Sequence, residues 1–210
     1  MRADTTVVEA DIKYPTDSGL LASATGRIAT SLRRLAKLGV KVAYTDRTLE
    51  ARSHQHSIGV WLRRRSDEAK AEVLVITGLL ADLAEASVAE ATKALQHRPR
   101  RRRVRCILDD LAVLIDRTNQ VIAQARSRVD GIQPDGATRL VSLDEPDARP
   151  IRKGRLGKPV EFGYKARAVD NVDGIIIDHT ACTSGTRRTP TYFVLPSSAS
   201  PPGSRRPPCW

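Results

Sequence analysis

Asp4 heads a β-branched run, Thr5-Thr6-Val7-Val8, and is the first residue of this chain placed to do chemistry from a rigid element. A carboxylate is a hard oxygen ligand for Mg²⁺ or Mn²⁺. Two such ions held ~3.5–4 Å apart activate water and stabilise a leaving oxygen in phosphoryl transfer. One aspartate cannot hold two ions, and a lone Asp at such a position is more often a solvated strand-end residue. Glu9, Asp11 and Asp17 come soon after and read as structural or surface groups. His54 and His56 flank Gln55 on a helical stretch, where residues two apart diverge, so they make no metal pair. Asp178-His179 closes an apolar run and could ligate a metal or orient water, with strand-end solvation as the plainer role. No Ser-His-Asp arrangement, GxSxG elbow or phosphate-binding P-loop is present.

The second available chemistry is phosphate recognition. The chain has 210 residues, 35 Lys and Arg against 24 Asp and Glu, and a formal net charge of +11. A surplus of this size favours polyanions, because each phosphate neutralised by Lys or Arg releases a condensed counterion. Arg98-Pro99-Arg100-Arg101-Arg102-Arg103-Val104-Arg105 gathers charge at a helix junction. It serves equally well as a phosphate-holding cluster of Arg forks or as a solvated helix start behind a proline. Arg33, Arg34 and Lys37, and the run Arg63-Arg64-Arg65, read as solvated faces. The segment carrying Arg149, Arg152, Lys153, Arg155 and Lys158 is the better candidate, since Gly154 and Gly157 let backbone N–H groups approach a phosphate.

Positioning these groups requires a strand, a helical block and a hairpin. Residues 4–11 read as a strand stopped by Tyr14-Pro15, with Thr16 and Asp17 as caps for the helix beyond. From about Ser18 to Arg128 the period becomes helical. Leu21, Ala24, Ile28, Leu32, Leu35 and Leu38 recur at three- and four-residue steps before Gly39. A second helical segment is expected over 48–96, interrupted near Gly59 and Gly78. A third is expected over 104–129, with Ile107, Leu111, Leu114, Ile115, Thr118 and Ile122 on one face and Gly131 at its end. Residues 131–159 read as a basic loop. Val160 to Asp170 alternates as a strand with Phe162, Tyr164 and Ala166 on one face, Asn171-Val172-Asp173-Gly174 is a turn, and Ile175 to Asp178 returns as an apolar strand. After His179 come half of the prolines, several Ser and Arg, and no acidic residue, which predicts disorder.

The three cysteines, Cys106, Cys182 and Cys209, show neither disulfide-framework nor zinc spacing, and a reducing cytoplasm fits them best. No apolar signal core and no membrane-length apolar run occurs, so the expectation is a soluble cytoplasmic protein with no membrane partner.

Taken together, Asp4, Tyr14-Pro15-Thr16-Asp17-Ser18-Gly19-Leu20-Leu21 and the block from Arg139 to His179 resemble the catalytic core of bacterial insertion-sequence transposases with an Asp-Asp-Glu metal triad. The elements Arg149-Pro150-Ile151-Arg152-Lys153-Gly154 and Phe162-Gly163-Tyr164-Lys165 look like strands of the same proteins, and Gln124-Ala125-Arg126-Ser127-Arg128 also looks familial. The likeness covers roughly residues 1–180. It implies an α/β fold: a partial ribonuclease H-like core of a first strand (residues 1–17) and a hairpin (160–179), a helical insertion (18–130), a basic loop (131–159) and a disordered tail (180–210). It also implies that Asp4 is the first catalytic aspartate and a ligand of Mg²⁺ or Mn²⁺. The expected DNA contacts are Arg100, Arg101, Arg102 and Arg103, then Arg126, and finally Arg152, Lys153, Arg155, Lys158 and Lys165. In the family the enzyme cuts DNA at element ends and joins the freed 3′-hydroxyl to target DNA. The implied partners are those DNAs, a second copy or an intact transposase, and the implied place is the bacterial nucleoid.

The sequence departs from the family in three respects. No helical DNA-binding region precedes Asp4, and neither the second Asp in an Asp-Arg/Lys-Gly-Tyr setting nor the later helical Glu finds a match. Asp173 and Asp178 are not at the matching motif. The family continues past the hairpin with a Gly-Asn-Pro-Pro-Asp-Ala-like segment. In GC-rich codons read one nucleotide later, that segment gives Gly-Thr-Arg-Arg-Thr-Pro, which is what residues 185–190 are. A frameshift near residues 180–184 is therefore the expectation. The chain then reads as a transposase fragment inactive alone, with a non-catalytic DNA-binding or transposition-inhibiting protein as the alternative and a helical structural protein as the plainest reading.

Overall fold

Thr16 begins the helical part of the chain: its side-chain oxygen accepts the Gly19 N–H at 3.1 Å, and the chain turns from extended backbone into helix. The computed structural model describes residues 2–64, 66–97, 101–155 and 158–182, with backbone alone at 2–3, 153–155, 158–159 and 181–182. Residues 183–210 of the expected tail and Arg100 therefore lie outside the described residues; residues 180–182, expected to begin the disordered tail, instead continue the last strand by pairing with residues 165–167. The architecture is mixed α/β, with four helices and a small antiparallel four-stranded sheet among these residues.

Helix α1 (Asp17–Lys37) buries Leu21, Ala24, Ile28, Leu32 and Leu35, the stripe expected of it. The expected second segment divides into α2 (Thr48–Trp61) and α3 (Asp67–Leu95). The break follows closely on Gly59, between Trp61 and Asp67, as expected there, whereas α3 runs unbroken through Gly78. The division falls where Ser66 caps α3 by accepting the Ala69 N–H, with Asp67 and Glu68 in the first turn. Helix α4 (Arg102–Val129) buries Val104, Leu108, Leu111, Ile115, Thr118, Val121, Ile122 and Ala125, while Ile107 and Leu114 flank the buried stripe. Gly39 and Gly131 come after α1 and α4 with positive φ, as the sequence suggests. Helices α1, α3 and α4 pack on one another, and α2 lies on α1 and α3. Among the described residues no helix is long and apolar enough to cross a membrane. Cys106 on α4 stands in a disulfide, which departs from the expectation of reduced cysteines.

In the sheet, β1 (Arg2–Glu9) pairs antiparallel with β3 (Lys158–Asp170), whose other edge takes β2 (Arg149–Arg155) and β4 (Ile176–Cys182). Part of the expected basic loop is therefore strand β2, with a register shift between Arg152 and Arg155. A Pro at an edge position and a bulge make such a basic, Gly-bearing segment compatible with a ladder. β1 approaches Gly163 so closely that a Cβ there would lie 2.1 Å from the Val8 carbonyl oxygen. The expected turn forms, with the Asn171 side-chain oxygen accepting the N–H groups of Asp173 and Ile175. The apolar strand after it is exposed: Ile175, Ile176 and Ile177 are 61%, 64% and 48% accessible.

No helix packs along the sheet among the described elements; the main hydrophobic cluster lies in the bundle and the segment after α4, and Ile151 and Val169 are buried apart from it in the sheet. That segment is strapped to α4 by side chains at successive turns. Arg117 bonds the Leu143 carbonyl, Gln120 the Thr138 carbonyl, and Gln124 both polar groups of Leu140, accepting from its N–H at 2.6 Å and donating to its carbonyl at 3.3 Å. Gln124 thereby imitates a strand neighbour for a buried residue. Gln124→Ala leaves the buried Leu140 groups unmet and should cost about 2 kcal/mol. Urea denaturation tracked by far-UV circular dichroism measures it, and a midpoint equal to wild type would show that Leu140 finds other partners.

Candidate functional site

Asp4 lies on β1 opposite Ala168 of β3, which in turn is opposite His179 of β4. Paired residues in an antiparallel ladder share a face, so Asp4 and His179 look out from the same side, two strand spacings or roughly 10 Å apart. Asp170, two residues beyond Ala168 on β3, shares that face and sits diagonally from Asp4. Nothing in the sequence singles out Asp170; its distance from Asp4 along the chain hides a neighbour that only strand register reveals. Asp178 pairs with Val169 and so looks out from the opposite face. The small Ala168 leaves open space between the polar groups.

The local electrostatics around Asp4 are modest. Its side chain is exposed, and its Oδ1 accepts the N–H of Thr5 at 2.7 Å. The Oδ1 of Asp170 is buried and meets no hydrogen-bond donor. Among the described residues no three His, Cys, Asp or Glu side chains are close enough to hold a metal ion. Asp4, Asp170 and His179 thus do not compose the ligand set that a pair of divalent ions requires.

The expected phosphate-binding residues separate into three groups. Arg126 pairs at the exposed surface between α4 and α3, one guanidinium nitrogen reaching Asp82 at 2.5 Å and Glu85 at 2.9 Å. Arg149 is likewise spent, on the carbonyls of Ala137, Pro146 and Ala148. Arg152 is exposed on β2, and Lys165 lies on β3 between Val7 and Cys182. The side chains of Lys153, Arg155 and Lys158 lie outside the described residues. Arg101, Arg102 and Arg103 are exposed at the start of α4. The Arg101 guanidinium reaches the Leu38 carbonyl at 3.5 Å, which brings this start against the end of α1, where Arg34 and Lys37 are exposed. In the sequence Arg34 and Lys37 read as a solvated face; the signal that joins them to Arg101 is the antiparallel packing of α1 on α4.

A groove of about 1640 Å³ runs between residues 11–16, α1, the start of α2, α4 and residues 141–145. Two of its arginines are matched by carboxylates. Arg27 forks to Asp144 at 2.7 and 2.5 Å and holds that carboxyl below the usual carboxylate range. Arg33 pairs with Asp46, whose carboxyl is lowered first by the Thr48 hydroxyl and backbone N–H and then by Arg33. Nothing in the groove joins a nucleophile to a base. No family model, no curated protein and no solved structure matches this chain.

At the groove's edge the Tyr164 hydroxyl donates to Glu145, tying β3 to the segment after α4. The Glu145 carboxylate, accepting that proton and repelling a phenolate, pushes the Tyr164 phenol up to about 12. Its folded pKa is above the unfolded value of about 10, so the bond's contribution is complete below pH 10 and lost as pH rises through 12. Tyrosinate absorbance near 295 nm should show one group titrating near pH 12 that Tyr164→Phe removes. A Tyr164→Phe titration curve unchanged in that range would refute the assignment.

Proposed function

We propose that this chain is the first-strand, helical-insertion and hairpin portion of an Asp-Asp-Glu transposase catalytic domain, bound to DNA and unable to cut it alone. The observation that carries this reading is the pairing of Asp4 with Ala168. A strand at one end of the chain and a hairpin more than 150 residues later join in one sheet, as the likeness to these transposases requires. The four helices lie between them in sequence, in the place of the expected insertion. In this reading Asp4 is the first ligand of the Mg²⁺ or Mn²⁺ ions, which when bound activate water and stabilise the leaving oxygen. The ligands that would complete the pair belong to motifs not found between Asp4 and Cys182. A ribonuclease H-like core is the finer form of the fold that this reading entails.

A second reading has a specific observation in its favour. The exposed arginines at the start of α4 suit a DNA-binding protein that never cuts, acting by occupying element ends or by pairing with an intact transposase. Either reading places the protein on DNA, at the nucleoid of a bacterial cell.

The nucleotide sequence through and beyond the codons for residues 180–184 separates the two. We expect an adjacent frame to encode the Asp-Arg/Lys-Gly-Tyr motif and a later helical Glu. Restoring that frame should yield Mg²⁺-dependent cleavage of element-end DNA, and Asp4→Asn should lower it by about 10³-fold or more. No such continuation in any frame, or cleavage indifferent to Asp4→Asn, would sink the transposase reading and leave the second.

A further inference from the structure

Six exposed basic side chains from two helices meet at one end of the bundle: Arg34 and Lys37 on the last turns of α1, and Arg101, Arg102, Arg103 and Arg105 at the start of α4. The contact from Arg101 to the Leu38 carbonyl fixes the two sets side by side. None of the six enters an ion pair among the described residues, although Arg27, Arg33, Arg47, Arg126, Arg128 and Arg139 all do. The first turns of the other three helices carry Asp17, Glu50, and Asp67 with Glu68; the first turn of α4 has no acid and no side-chain cap. Among the described residues no ion pair compensates this charge.

We infer that this end of the α1–α4 pair binds duplex DNA through its phosphates alone, without reading base sequence. Successive helical positions lie about 100° apart, so Arg102, Arg103 and Arg105 surround the end of α4 on its solvent sides while Val104 packs into the core. A recognition helix instead aligns its base-reading side chains along one face that enters the major groove. A collar of guanidinium groups meets phosphates on both sides of a groove, and Arg34 and Lys37 extend it across the neighbouring helix. This assigns a surface to the DNA partner of the proposed function, yet it rests on charge geometry and not on the transposase reading. A protein with no transposase continuation would keep it.

Fluorescence anisotropy of the full chain with two labelled 30-base-pair duplexes of equal base composition and scrambled sequence tests the inference. The two Kd values should agree within about threefold and be unaffected by chelator. Log Kd against log salt should indicate about four to six phosphates. Joint Arg101→Glu, Arg102→Glu and Arg103→Glu substitution should weaken binding at least about 30-fold at low salt and reduce the salt slope by about 3. Arg34→Glu with Lys37→Glu, on the other helix, should reduce it by about 2. Arg63→Glu with Arg64→Glu, at the far corner between α2 and α3, should change Kd less than about threefold. Unfolding cannot explain a loss in the α4 variant, because acids at a helix N-terminus favour the helix and should raise its melting temperature. A slope untouched by the Arg34 and Lys37 changes overturns the two-helix surface. Affinities differing more than about tenfold between scrambled duplexes overturn phosphate-only recognition, and tighter binding to single-stranded DNA or RNA overturns the duplex assignment.

Discussion

The carboxylate of Asp17 is the constraint on which the rest of the structure depends. It is 3% exposed at the first turn of α1, and two guanidinium groups reach it, from Arg128 at the end of α4 and from Arg139 in the segment beyond, each at 3.2 Å. Arg139 also reaches the Pro15 carbonyl just before the helix. One buried charge therefore fixes where α1 begins, where α4 ends and where the chain turns back toward the sheet. Breaking a pair of this kind costs about 3–5 kcal/mol, because the remaining charge stays buried without its partner. The strap along α4 then continues the order set at Asp17. Arg117, Gln120, Gln124 and Arg128 stand three or four residues apart on one face, and each holds part of the chain entering or leaving the bundle.

The sheet is held by different means. No helix covers it among the described elements, so its place relative to the bundle comes from the two segments that enter it and a few contacts they make. Tyr14 meets Phe162 edge to face with ring centroids 5.5 Å apart, and the Ala10 N–H bonds the Phe162 carbonyl at 3.0 Å. Tyr164 reaches Glu145 from the same strand. The sheet buries Ile151, Glu161 and Val169, while Ile176 and Ile177 of β4 stay exposed, without the apolar cover that a doubly layered α/β fold supplies. Ile175 to Ile177 have the composition of an interior strand and the exposure of a surface one.

Legibility in the sequence tracks how local each determinant is. The Leu21-to-Leu35 stripe of α1, the Thr16 cap and the Asn171–Gly174 turn depend on residues within a few positions, and they are readable. The break between α2 and α3 falls close to the expected Gly59 and is set by the Ser66 cap, whereas Gly78, equally conspicuous, sits inside a helix held by its neighbours. Strand β2 is hidden from propensity, because basic residues, Pro150 and Gly154 favour a loop; only the likeness of Arg149–Gly154 to a transposase strand suggests it, and pairing with β3 makes it one. The site is least legible of all. Asp170 faces the side of Asp4 through register alone, and Arg34 joins Arg101 only because two helices far apart in sequence lie antiparallel. The Arg126 pairing shows the opposite failure, an arginine in a familial run whose charge goes to Asp82 and Glu85.

The separation between Asp4 and the basic end limits how the two could act together. β1 leads into the start of α1, whereas the basic residues gather at its other end, 21 residues away. At 1.5 Å per residue that is about 30 Å, the rise of roughly nine base pairs at 3.4 Å each. A phosphate held at Arg102 therefore cannot be the one presented to Asp4. A duplex lying along the α1–α4 pair could reach both, with the basic end fixing register and the sheet face meeting the backbone almost one helical turn away. In the proposed transposase reading such an arrangement asks for a sheet held rigidly to the bundle. The Asp17 cluster, the α4 strap and the Tyr164–Glu145 bond lie between the basic end and the sheet and tie the chain together through polar side chains.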